Sequence, residues 1–202
     1  MKLILATNNK GKIKEYKEIF APLGFDVLSQ NEAGINIEVK ETGTSFCENA
    51  YLKAKAIYDI TNSYVLADDS GLEVSALNGR PGIYSSRYAP EGKRCEKILE
   101  EMKDVPNDKR QARFVCSICL ICADGKKITV EGYCEGKIGY EKKGNNGFGY
   151  DPIFIYDDNM TLAQMTDDNK NAISHRGNAV KKLIEMINTG ENLCLHQNKE
   201  RI

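Results

Sequence analysis

Between Ala112 and Cys134 the chain has few options. Two runs rich in β-branched and apolar residues, Ala112 to Ala123 and Lys127 to Cys134, are separated by Asp124-Gly125, which supplies the positive φ a tight turn needs. A β-hairpin is predicted. The longest apolar stretch, Val115 to Ala123, lies in the first run and is too short to cross a bilayer. With 41% hydrophobic and 28% charged residues among 202, the composition is that of a soluble globular domain. Cys116, Cys119 and Cys122 fall three apart in this run, a spacing that invites zinc. On an extended strand that spacing alternates faces, so the three are expected to be small buried hydrophobes without structural zinc.

The N-terminal third alternates extended and helical patterns. Lys2 to Ala6 reads as a strand, Thr7-Asn8-Asn9-Lys10-Gly11-Lys12 as a polar loop, and Ile13, Tyr16, Phe20 and Leu23 as the apolar face of a helix. Backbone N–H groups at such a helix start, with Lys10 and Lys12 adding charge, suit a phosphate; an ordinary capped helix start fits equally well. The loop is not a Walker A sequence, which needs Gly where Ala6 stands and Ser or Thr where Ile13 stands. Phe25 to Leu28 is a second strand. Ser45-Phe46-Cys47-Glu48 then reads as a capping box opening a helix with Phe46, Ala50, Ala54 and Ile57 on one face. Glu41, just before it, is either favourable charge near a helix start or a metal ligand facing Asp68 and Asp69.

Those two carboxylates draw the attention. Tyr64 to Ala67 is a short buried strand, and Asp68-Asp69-Ser70-Gly71 favours a turn at its mouth. Adjacent carboxylates repel, which a divalent cation or a shared proton relieves; a plain solvated turn is the competing explanation. Leu72 to Leu77 then reads as extended, with a rigid loop Asn78-Gly79-Arg80-Pro81-Gly82 beyond it. Gly92 to Lys103 reads as a helix burying Cys95, Ile98, Leu99 and Met102.

The glycine-rich Gly144 to Pro152 precedes an apolar run, Ile153 to Tyr156, and Phe148 within it can stack on a flat base or plug the core. Lys170 to Gly177 leads into a helix with Val180, Leu183, Ile184 and Ile187 as its stripe, ending at Gly190. His175-Arg176 at its start is either structural or an acceptor-and-donor pair for a ligand. A formal charge of -1 offers no basic field for nucleic acid, and seven scattered Cys fit reduced thiols in the cytoplasm. Met1 to Ala6 is too short for a signal-peptide core, so export is not expected.

Taken in order, six blocks give the chain a family likeness. They are Thr7-x-Asn9-x-x-Lys12, Glu41-Thr42-Gly43 with Glu48-Asn49-Ala50, Ala67-Asp68-Asp69-Ser70-Gly71-Leu72, Gly82-Ile83-Tyr84-Ser85-x-Arg87-Tyr88, Gly147-Phe148-Gly149-Tyr150-Asp151-Pro152 and Ser174-His175-Arg176-Gly177. The sequence from Leu3 to about Ile187 resembles the Ham1-like inosine triphosphate pyrophosphatases, which act on dITP, ITP and XTP. The resemblance implies an α/β fold: a single elongated domain over 1–190, in which a long mixed β-sheet floors a cleft between two lobes, with a polar tail over 191–202. It also implies a homodimer and Mg²⁺.

By the same resemblance Thr7, Asn9 and Lys12, within the loop that also holds Asn8, Lys10 and Gly11, would hold the triphosphate. Glu41 and Asp69 would serve the metal, with Asp69 also the general base and Asp68 beside it. Ser70 would touch the phosphates and Lys170 would add charge. Phe148, Gly149, Tyr150 and Asp151, with His175 and Arg176, would surround the base. The expected reaction is hydrolysis to a monophosphate and pyrophosphate by water attack at the α phosphorus. Two alternatives are a Maf-like nucleotide pyrophosphatase, which the His175-Arg176 block opposes, and a non-catalytic nucleotide sensor, which would lack Glu41 and Asp69.

Overall fold

The computed structural model describes residues 2–157 and 160–188. Lys2–Leu5 (β1) leads through the polar loop into Lys10–Phe20 (α1), and Asp26–Ser29 (β2) returns to pair in parallel with β1, Lys2 opposite Asp26. Phe46–Thr61 (α2) then carries the chain to Val65–Val74 (β3), parallel to β1 on its other side with Leu5 opposite Leu66. Parallel neighbours need crossovers, which α1 and α2 supply. Because β2 and β3 flank β1, the strand order reverses there, and the crevice beyond the C-terminal end of such a strand is where open α/β sheets hold ligands.

Arg94–Glu101 (α3) precedes the predicted hairpin of Gln111–Ile121 (β4) and Lys127–Ile138 (β5). At its turn Gly125 has φ +83°, and Asp124 accepts a 3.0 Å bond from the Lys126 N–H. Phe154–Asp157 (β6), Met160–Thr161 (β7), Asp167–Ile173 (α4) and His175–Asn188 (α5) follow. Among the described residues the seven strands form one sheet, ordered β2-β1-β3-β4-β5-β6-β7, with β5–β6 and β6–β7 antiparallel. The expected mixed sheet of an α/β protein is present.

The chain divides into two compact units. One comprises the described residues of Met1–Asp69, Ser117–Gly132 and Ala179–Ile202, and its core gathers Ile4, Ala50, Ala54, Ile57, Val65 and Ile121. The other comprises Ser70–Cys116 and Tyr133–Asn178, around Leu72, Val74, Ile98, Met102, Phe114 and Phe154. The α2 stripe predicted from helical spacing is buried, at 7% exposure for Phe46 and 0% for Ala50, Ala54 and Ile57. No helix among the described residues is long and apolar enough to cross a membrane.

Several expectations need correction. Asp68-Asp69-Ser70-Gly71 is not a turn: β3 runs through it without a break for ten residues. Turn propensity yields there because β3 is a central strand of the sheet and lysines reach both carboxylates. The extended segment beyond ends at Val74, and Ser75–Leu77 is a 3₁₀ turn closed by Asn78 and Gly79 at positive φ. Leu23 is 41% exposed, since α1 stops at Phe20 and Pro22 starts a separate turn. Ser45 caps α2, but the Glu48 carboxylate binds the Thr44 N–H at 2.7 Å and the Thr44 hydroxyl at 2.9 Å. Lys170 lies in α4, a helix the periodicity did not reveal because it is only seven residues long. Cys116, Cys119 and Cys122 are fully buried. Cys47, Cys95, Cys116, Cys119 and Cys134 are free thiols. Gly190 and the tail after it lie outside the described residues.

Candidate active site

In the first unit the polar loop after β1 is shaped by its own side chains. Thr7 Oγ1 accepts from the Asn9 N–H at 3.2 Å, and Asn9 Oδ1 accepts from the N–H groups of Gly11 at 3.0 Å and Lys12 at 3.2 Å. Asn9 is therefore the N-cap of α1, and it engages two of the donors that the sequence offered to a phosphate. Asn8 and Lys10 are exposed beside it. Lys12, one turn into the helix, points its ammonium at Asp68, 3.0 Å from Oδ1 and 3.4 Å from the main-chain oxygen.

Adjacent residues on a strand project to opposite sides, so Asp69 meets different partners. Asn49 Nδ2 donates to Asp69 Oδ2 at 3.1 Å, and Lys53 Nζ lies 3.3 Å from Asp69 Oδ1 and 2.7 Å from Glu41 Oε1. Asn49 and Lys53 stand four apart on α2 and so share a face. Asn49 Oδ1 also accepts the Gly43 N–H at 2.8 Å, tying the Glu41-Thr42-Gly43 segment to the same helix. Gly43 is pressed so close that a Cβ there would lie 2.7 Å from Asn49 Oδ1 and 2.7 Å from Glu48 Cβ.

Burial pushes the Asp69 carboxyl above its ordinary value; Lys53 and then Lys12 pull it back, Glu41 adds to the rise, and the Asn49 hydrogen bond opposes it. The net rise makes Asp69 a stronger base than an exposed aspartate. For Lys53 burial works against the charge, but Asp69, Asp68 and Glu41 together outweigh it and raise its pKa. Lys53 is an ammonium ion under any physiological condition.

In the second unit Phe148 is half-buried, with the Lys170 ammonium 4.8 Å and the Arg176 guanidinium 5.9 Å from its ring centre. Asp151 Oδ2 accepts the Phe148 N–H at 2.8 Å and the Lys170 ammonium at 2.7 Å. The Tyr150 hydroxyl donates to the Ser85 carbonyl at 2.8 Å. Tyr150, Asp151 and Lys170 are each 4% exposed or less, so they brace the loop from beneath, while Phe148 and Gly149 keep an accessible surface. Lys170, expected as an added phosphate charge, is held in a buried ion pair. Arg176 Nη2 donates to Ser70 Oγ at 3.1 Å, and the His175 ring stacks on Phe114 at 4.8 Å and 14°.

The structure thus gathers Lys12, Glu41, Asp68 and Asp69 in one unit and Ser70, Phe148, Asp151, Lys170, His175 and Arg176 in the other. Sequence reasoning overlooked Lys53 and gave Asn49 no role. A signal existed: positions 46, 49, 50, 53, 54 and 57 form one helical stripe, and Asn49 and Lys53 are polar residues within it. The stacking of Phe114 on His175 had no local signal, since the two are far apart in the chain.

Comparison with known proteins points to one family. The model of the Ham1 family matches residues 3–186. A dITP/XTP pyrophosphatase of Bacillus subtilis is 49% identical over 189 residues, spanning 91% of this chain and 96% of its own. That of Clostridium perfringens is 50% identical over 193 residues, with 90% and 95% covered. Among solved structures, the Ham1 protein of Staphylococcus aureus superposes with a TM-score of 0.80 at 42% identity, covering 95% of this chain and all of that one. Matched across nearly its whole length, the chain belongs to the Ham1 family.

Proposed function

We propose that this protein hydrolyses the non-standard purine nucleotides dITP, ITP and XTP to the monophosphate and pyrophosphate, with Asp69 as the general base. It is a nucleoside triphosphate pyrophosphatase, as the dITP/XTP pyrophosphatases that it resembles at about half identity are named. The observation that carries the reading is the convergence of Glu41 and Asp69 on a single cationic centre, the Lys53 ammonium at 2.7 and 3.3 Å, with Asp69 made more basic by burial.

The same convergence bears on Mg²⁺. Among the described residues no three His, Cys, Asp or Glu side chains assemble into a ready cage. Mg²⁺ seldom uses one, taking one or two carboxylates and completing its shell with water and substrate phosphates. Two hard carboxylate donors already drawn to one positive charge fit that ion, and Glu41 and Asp69 would hold it. When bound, Mg²⁺ would neutralise charge on the phosphate oxygens.

The protein's own groups supply the rest. Asp69, oriented by Asn49, accepts a proton from the attacking water. Lys12 at the start of α1 offers a cation to the outgoing pyrophosphate, a leaving group that needs no strong acid. Phe148 offers a face for the base. Arg176 offers donors that suit a keto oxygen at C6 and oppose the amino group of adenine. We take the working particle to be a cytoplasmic homodimer, which sedimentation equilibrium tests.

Incubation with ITP, XTP, GTP and ATP in ¹⁸O water with Mg²⁺ tests the chemistry. ITP and XTP should be consumed fastest, and label should enter the monophosphate. Label in pyrophosphate, release of orthophosphate, or a preference for ATP overturns the proposal.

A further inference from the structure

We propose that Lys53 is a resident cation that keeps Glu41 and Asp69 converged until a divalent metal displaces it, so that metal entry is an exchange of one cation for another. The proposal rests on the reading of Glu41 and Asp69 as metal ligands. Three carboxylates, Glu41, Asp68 and Asp69, lie near one another with side-chain exposures of 22%, 0% and 9%, where their mutual repulsion is poorly screened. Lys12 is committed to Asp68 at 3.0 Å. Lys53 touches both of the others, and its own side chain is only 14% exposed. Asn49 adds a hydrogen bond to Asp69 but no charge.

A metal ion and an ammonium cannot be held by the same two carboxylates without repelling each other. One must leave. Lys53 is suited to leaving because its charge ends a flexible four-carbon stem, whereas Glu41 and Asp69 stay anchored, through the Gly43–Asn49 bond and within β3. Lys53 is therefore a positioning residue for the empty pair and a competitor of the metal. A lysine with a merely structural role would weaken metal binding when removed, by loosening the site; a competitor strengthens it.

The test measures Mn²⁺ binding to the nucleotide-free protein by the loss of free-ion electron paramagnetic resonance signal, with no turnover involved. Lys53→Met should bind Mn²⁺ about tenfold more tightly than wild type or better, since a full positive charge within a few ångströms has been removed. Without metal the variant should melt lower than wild type, and Mn²⁺ should raise its melting temperature by more. Lys53→Gln is a second variant in case Lys53→Met does not fold, and it should shift affinity in the same direction. Asp69→Asn should lose the site. If Asp69→Asn loses Mn²⁺ but neither Lys53 variant binds it more tightly, the exchange proposal falls and the metal reading stands. If Asp69→Asn binds Mn²⁺ like wild type, the metal reading falls and takes the exchange with it.

Discussion

Lys170→Met discriminates between two jobs for this lysine: direct charge for phosphates and internal support for the Phe148 loop. The substitution keeps the stem and removes the ammonium 2.7 Å from Asp151, a pair whose side chains are 5% and 4% exposed. Breaking a buried ion pair from one side costs about 3–5 kcal/mol, because a carboxylate is left in a site built around a cation. With an m-value of roughly 2–3 kcal/mol per molar urea for a chain of this size, the unfolding midpoint should fall by about 1–2.5 M. From a total stability in the middle of the usual range of about 5–15 kcal/mol, the variant stays folded in buffer. Urea titration followed by circular dichroism at pH 7 measures the shift. The double variant Lys170→Met with Asp151→Asn removes the orphaned charge, keeps an acceptor for the Phe148 N–H, and should recover much of the loss. KM for ITP should rise more than kcat falls, since the loop that presents Phe148 is what loosens. An unchanged midpoint together with an evenly lowered kcat/KM for every nucleotide would refute the internal role and return Lys170 to the phosphates.

Asp69→Asn should lower turnover of ITP by at least about a thousandfold with its circular dichroism unchanged; near wild-type turnover would mean the base lies elsewhere. In the metal-free protein the Asp69 carboxyl should titrate above the ordinary aspartate value of 3.8, because burial raises it, and higher still in Lys53→Met, because Lys53 is the strongest force holding it down; carboxyl chemical shifts followed against pH measure both. The sign for folding follows the same shift: a carboxyl raised in the folded state contributes stability that is complete below its unfolded value and is lost as pH rises through the raised one. Asp69→Asn should therefore flatten the pH dependence of melting temperature on the acid side of neutrality, and an unchanged dependence in that variant would contradict the assignment. Asn49→Ala removes bonds to both Asp69 and Gly43 and should cost about 2–4 kcal/mol in urea unfolding, each abandoned buried group counting for about 1–2 kcal/mol. Arg176→Ala should narrow the ratio of ITP to ATP kcat/KM, and an unchanged ratio would remove Arg176 from base selection.

Much of this molecule could be read from its residues because the relevant signals are local. Asp124-Gly125 forces a hairpin wherever the two flanking runs go, and Phe46, Ala50, Ala54 and Ile57 can be buried together only on a helix. What the residues leave open shares one cause. Asp68 to Gly71 has the composition of a turn, and only its place in the middle of a sheet, with Lys12 and Lys53 at hand, makes it strand. Asn9 looked like part of a phosphate-binding loop, but whether its side chain or a ligand takes the helix N–H groups depends on a rotamer. Lys170 carries a charge that sequence reads as available, and only the fold shows Asp151 beneath it. Motif order identified the family and its candidate residues; which lysine faces which carboxylate was set by contacts between segments far apart in the chain.

Gly43 has a bearing on how such a protein can change over generations. Its flanking residues Thr42 and Thr44 are exposed and can drift, yet at Gly43 itself even a methyl group would collide with Asn49 and Glu48. Any single substitution at this position forces a shift, because its first carbon would lie 2.7 Å from Asn49 Oδ1, on the amide whose nitrogen orients Asp69. Lineages can reshape the loop on either side of it by small steps, but the peptide between Glu41 and α2 is a fixed point about which those steps must turn.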